Sequence, residues 1–167
     1  MSATALNGFT AATTVLKWLR AWYGENMPEA IDLDVVRQML PTTRYGTGIR
    51  EIKPPMALDI PSFEGSLVRN PQDAAEWGIF YNGSASPERI RFTIAHELGH
   101  LILHRANQIR VECDKDGVTS GQFDDRNIER EANEFASNLL MPIDAVSYTH
   151  LRAHETDSYL VCRLLLE

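Results

Sequence analysis

The stretch Ser86 to His104, SPERIRFTIAHELGHLILH, constrains the fold more than any other part of the chain. Ser86 suits an N-cap, Pro87 the first helical position and Glu88 the first turn, so a helix starts here. Its apolar residues, from Ile90 and Phe92 through Leu98 to Leu103, go nearly all the way round, which predicts a buried helix. Inside it lies His96-Glu97-Leu98-Gly99-His100, an H-E-x-x-H match. Two imidazoles one helical turn apart point the same way, so both can reach one metal ion. Glu97 sits about 100° round from His96 and roughly 60° from His100, given the helical repeat. Its carboxylate is thereby beside the metal, where it can take a proton from an attacking water. Burying these three polar groups without partners would cost several kcal/mol, an objection that a bound cation largely removes.

The rest of the chain supplies a scaffold. A first helix is expected from about Thr10 to Tyr23, with Val15, Leu16, Trp18, Leu19, Trp22 and Tyr23 at helical spacing and Gly24 as its stop. The two tryptophans read as packing residues. A second, short helix is capped by Asp32, turns Val35, Val36, Met39 and Leu40 inward and ends at Pro41. Residues 49–52, 65–68 and 77–81 are β-prone runs separated by Pro54-Pro55, Pro61-Ser62, Asn70-Pro71 and Asn82-Gly83. They predict a small, mainly antiparallel three-stranded sheet, whose edge could take a peptide by strand addition. Residues 105–124 read as a polar loop, and Asp124 or Asp125 caps a last helix that reaches about Met141 before Pro142. The fold class is therefore α+β, with the H-E-x-x-H helix buried and a later helix giving a third ligand.

Composition narrows the partners. The chain has 167 residues, 44% of them hydrophobic and 23% charged, with a formal net charge of −7, which is globular rather than disordered. The acidic balance and the absence of a basic recognition helix argue against direct nucleic-acid binding. No basic start followed by an apolar run marks a signal peptide, and no stretch approaches a membrane span. Two cysteines, Cys113 and Cys162, make no disulfide framework, which suits a cytoplasmic protein.

Catalytic zinc usually has three protein ligands and one open position. The last helix offers Glu129, Glu131 and Glu134. Glu131 lies three residues after Ile128 and four before Phe135, on the apolar stripe, so it is the expected third ligand. Glu129 and Glu134, at other offsets from Phe135, are expected to be solvated, with Glu134 as the fallback. Two imidazoles and a carboxylate suit one hydrolytic Zn²⁺, which would polarise a scissile carbonyl while Glu97 serves as general base and then passes its proton to the leaving amine. His104 is roughly 12 Å along the helix from His96, too far to share an ion with it, and reads as a helix-end cation. Cys113 has no His–Cys arrangement to activate it, and Ser120-Gly121 shows no serine-hydrolase elbow.

RFTIAHELGHLILH followed by EREANEFASNLLMP resembles the ImmA/IrrE family of metallo-endopeptidases, a likeness that covers roughly residues 25–145. The resemblance implies a zinc peptidase with a compact, gluzincin-like (zincin-like) fold. It also implies a protein substrate, namely a helix-turn-helix repressor or an antitoxin, with a role in transcription regulation. Carried over by motif, His96, His100 and Glu131 would be zinc ligands and Glu97 the catalytic acid/base. After about Ala145 the chain departs from the family's pattern. VSYTHLRAHETDSYLVCRLLLE resembles translated sequencing-adapter read-through, so residues 146–167 are taken as a non-native tail after a C-terminally truncated domain, 1–145. His150, His154 and Cys162 are rejected as ligands on that ground.

Two functional readings follow. The first is a zinc-dependent endopeptidase acting on a regulatory protein. The second is a non-catalytic regulator that binds a repressor or antitoxin around a structural metal. Glu97 separates them, because a structural site needs no base and normally fills its fourth position. Oligomeric state is not encoded in any feature of the sequence.

Overall fold

The computed structural model describes residues 7–60, 62–105 and 125–141. It is an α+β arrangement of four α-helices and a four-stranded sheet among those residues. Helix α1, Gly8–Tyr23, begins at Asn7, which exchanges hydrogen bonds with Thr10 in a capping box. Its buried row is Ala11, Ala12, Val15, Leu16 and Leu19. Trp18 rests against Tyr45 at 5.2 Å between ring centroids. Trp22 contradicts the packing role expected of it: although in line with Ala11 and Val15, it falls in the last turn of α1 and is 69% exposed. Helix α2, Leu33–Met39, is capped by Asp32, whose carboxylate accepts from the Asp34 and Val35 amides. Val36 and Leu40 point into the core, where they meet Leu19 and Val15.

The sheet corrects the expected pairing. Strands β1 (Glu51–Ile52) and β2 (Met56–Leu58) both run parallel to β4 (Asp73–Asn82), and β3 (Gly65–Asn70) pairs antiparallel with β4. Two of the three pairings are thus parallel rather than the sheet being mainly antiparallel, and a fourth strand, β2, joins the three expected. The cause is Pro54-Pro55. These residues do not reverse the chain; they interrupt one extended segment, because prolines have no N–H to give to a ladder. β1 and β2 therefore follow each other along the same side of β4, with Glu51 opposite Glu76 and Met56 opposite Phe80. The real reversal is at Asn70-Pro71, between β3 and β4, where Asn70 is opposite Asp73. Trp77 and Ile79 of β4 are buried against the helices.

Helix α3, Pro87–Leu103, starts at Ser86, which caps the Arg89 amide. It is buried over its second half only: Ala95 and Glu97 to Ile102 are enclosed, whereas Phe92 is 37% exposed. Helix α4, Asp125–Leu140, buries Ala132, Phe135, Ala136 and Leu139 against α3 and α1. The contact is close because position 99 is glycine. A Cβ there would lie 3.0 Å from Phe135 Cδ1 and 3.3 Å from the Ala132 backbone. The shared core joins α1, α2, the sheet, α3 and α4 into one cluster. No helix among the described residues is long and apolar enough to cross a membrane.

Candidate metal centre

Helix α3 presents His96 and His100 one turn apart, with their Nε2 atoms 2.9 Å from each other. Across the Gly99 contact, α4 brings Glu129 to both. One carboxylate oxygen is 3.3 Å from His96 Nε2 and the other 3.3 Å from His100 Nε2. These three side chains form a group able to hold a metal ion, with donor atoms all within 4.8 Å of one another. Two ligands each about 2.0–2.1 Å from a tetrahedral zinc are themselves roughly 3.3 Å apart, so the spacing fits.

The hydrogen bonds around the site make the same case. His96 Nδ1 faces Asn133 Oδ1 at 3.1 Å, and that oxygen can only accept, so the proton sits on Nδ1 and Nε2 keeps its lone pair. His100 Nδ1 is 3.2 Å from His104 Nδ1, and His104 Nε2 is 3.0 Å from Glu131. Two imidazole lone pairs and a carboxylate then converge with no donor between them, an arrangement that a cation relieves. Burial, with the neighbouring His96 and His104, pushes His100 down to about 4, so it is neutral and in its ligating form at pH 7.

Glu97 is buried, at 7% exposure, between α3 and β3. Gly65 lets β3 pass this close: a Cβ at that position would lie 2.3 Å from Thr93 Cγ2 and 3.0 Å from Glu97 Oε1. Burial first, and the Glu129 charge second, push the Glu97 carboxyl up to about 7, opposed by the Leu67 backbone N–H that donates to it. A carboxyl held near neutrality is suited to taking and returning a proton.

The structure does not bring the expected third ligand, Glu131, to the two histidines. Glu131 does not reach His96 or His100; it pairs with His104. Glu134, the alternative, is exposed and lies on the flank beside Gly8 of α1. Glu129, expected to be solvated, is the carboxylate that the structure brings to the histidines, even though its side chain is 57% exposed. Spacing from Ile128 and Phe135 measured closeness to the apolar stripe and not which flank of the stripe faces His96. The usable signal was Glu129 with Asn133, four residues on, beside the small residues Ala132 and Ala136. His104 stands at the end of α3 as expected, but it is buried, at 4% exposure, with Glu131 and His100 at its two ring nitrogens. Cys113, Ser120 and the tail residues His150, His154 and Cys162 lie outside the described residues.

A family model, Peptidase_M78, the IrrE N-terminal-like domain, matches residues 55–163, about two thirds of the chain. The chain belongs to this family. The IrrE N-terminal-like match takes in β2 to β4, α3 and α4, and with them every residue of the metal centre. It makes the chain a member of a metallopeptidase-type hydrolase family, as the H-E-x-x-H helix and the resemblance had implied. The match also runs across residues 146–163, part of the stretch read as a tail. No curated protein matches the chain.

Proposed function

We propose that the chain is a zinc-dependent endopeptidase that hydrolyses a peptide bond in a regulatory protein, a helix-turn-helix repressor or an antitoxin, in the cytoplasm. The observation that carries the reading is Glu97: a buried carboxyl, raised toward neutrality, beside a three-residue metal-binding group. His96, His100 and Glu129 would hold one zinc ion. When bound, the ion supplies Lewis-acid polarisation of the scissile carbonyl and acidifies an attacking water.

The chain's own residues do the rest. Glu97 takes the proton of the water as its oxygen attacks the carbonyl carbon, and gives it to the amine nitrogen as the C–N bond breaks. The Leu67 N–H holds the carboxylate in place between those two transfers. Asn133 holds the His96 ring through Nδ1. Among the described residues β3 pairs with β4 alone, and its Leu67 N–H meets Glu97. An extended substrate peptide laid along this edge would run past the general base. Every residue named in these steps lies at or before Asn133.

The test is cleavage of a helix-turn-helix protein encoded beside this chain. The wild type is expected to bind about one zinc per chain and cut that protein. Glu97→Gln should keep the zinc and lose roughly 10²–10⁴ in cleavage rate, the usual weight of a general acid–base. Unchanged cleavage by Glu97→Gln would overturn the mechanism. A zinc-binding wild type that binds the partner without cutting it would favour the non-catalytic regulator.

A further inference from the structure

His104 and Glu131 remain after the metal centre has been assembled. His104 is a buried imidazole with 5% of its side chain exposed, and Glu131 is a half-buried carboxylate with 32% exposed. They belong to different helices and meet only because α4 packs on α3. Neither touches His96 or Glu129, yet His104 Nδ1 lies 3.2 Å from His100 Nδ1.

With His104 neutral, the donors in this chain run in one direction. A carboxylate only accepts, so His104 Nε2, 3.0 Å from Glu131, must carry a proton. A neutral His104 then has a bare Nδ1, which accepts. His100 Nδ1 must therefore donate to it, and the remaining nitrogen, His100 Nε2, is left with a free lone pair. That nitrogen is the one turned toward His96 and Glu129. The order of protons is thus set from the Glu131 end, before any ion arrives.

We propose that Glu131 and His104 are positioning residues of the metal centre, a carboxylate–imidazole chain that fixes the tautomer and ring angle of His100 so that Nε2 faces the ion. The proposal rests on His96, His100 and Glu129 being the ligands. It gives the two histidines different supports. His96 is held by a neutral amide at the more open side, and His100 by a buried relay that ends in a charge. A carboxylate behind an imidazole also raises its basicity as a ligand, and such partners typically contribute 10–100-fold to metal affinity.

The test is zinc affinity by chelator competition, together with long-range ¹H–¹⁵N correlation spectra of the histidine rings. In wild type the spectra should show His104 protonated at Nε2 and bare at Nδ1, and His100 protonated at Nδ1. Glu131→Ala and His104→Leu should each weaken zinc binding by roughly 10–100-fold, and Glu131→Ala should abolish the single His104 tautomer. Glu131→Gln, which keeps an acceptor oxygen, should recover part of the lost affinity. The thermal midpoint of the metal-free protein separates positioning from folding. Weaker zinc binding with that midpoint retained supports the proposal. A lowered midpoint with wild-type zinc affinity, or a His104 proton on Nδ1, overturns it. A wild type that binds no zinc would overturn the ligand assignment and this proposal with it, whereas wild-type affinity in both truncations overturns this proposal alone.

Discussion

Helix α4 carries two carboxylates two residues apart that do different things. Glu129 lies on the flank shared with Asn133 and faces the Nε2 atoms of His96 and His100. Glu131 lies on the opposite flank and pairs with His104. Glu131 is the more enclosed of the two, with 32% of its side chain exposed against 57% for Glu129. Burial along the helix stripe is therefore a poor guide to which acid meets a metal. Which acid meets the histidines depends on how α4 packs across α3, and Gly99 lets the two helices come close. In the proposed centre, one flank would complete the ion's ligand set and the other would support one of the ligands.

Substitutions that act on both flanks should have the largest effect. His100 belongs to both, as a proposed ligand facing Glu129 on one side and as the partner of His104 on the other. His100→Ala should abolish stoichiometric zinc binding in equilibrium dialysis, since it removes one ligand and leaves His104 buried with half its partners. Retention of one zinc per chain would show that the two flanks do not share this residue as described. Next comes Gly99→Val. Its Cβ would crowd Phe135 and the Ala132 backbone, and overpacking of this kind costs about 1–3 kcal/mol. Calorimetry should show a midpoint lowered by about 2–4 °C for each kcal/mol. Zinc affinity should fall too, because α4 is pushed off and takes Glu129 with it. A destabilised protein with wild-type zinc affinity would mean that the crossing does not position Glu129.

Most of the scaffold was legible in the sequence, because local rules carry it. Asp- and Ser-type caps and the stop at Gly24 act over a few residues, and Asp32, Ser86 and Gly24 all sit where those rules place them, whereas α1 starts at Gly8, capped by Asn7, ahead of the expected Thr10. His96, Glu97 and His100 were legible for the same reason: one helical turn fixes their relation. The parallel course of β1 and β2 was not, since Pro54-Pro55 has the same composition whether it turns a chain or merely interrupts a ladder. That Glu129 rather than Glu131 faces the histidines was not legible either, because it depends on how two helices pack in space. The apolar stripe of α4 is symmetric enough that Glu129 and Glu131 flank it almost equally.

Smaller effects sharpen the contrast between the flanks. Asn133→Ala leaves the His96 ring without its acceptor and should weaken zinc binding by about 10-fold, the low end for such partners, since this bond is open to water. Isothermal titration would show it, and a loss as large as that of His100→Ala would demote the Glu131 flank. Trp22 belongs to neither flank. At 69% exposure, Trp22→Ala should change stability by less than about 0.5 kcal/mol in chemical denaturation and leave zinc affinity unchanged. A larger change would place Trp22 in a contact that the core does not include.

The most direct measurement sets the two acids of α4 against each other. Zinc dissociation constants of Glu129→Ala and Glu131→Ala would be compared in one chelator series. Loss of a ligand should exceed loss of its support, so Glu129→Ala is expected to fall well below Glu131→Ala, whose own loss is roughly 10–100-fold. If Glu131→Ala loses zinc and Glu129→Ala keeps it, the metal centre is not His96, His100 and Glu129.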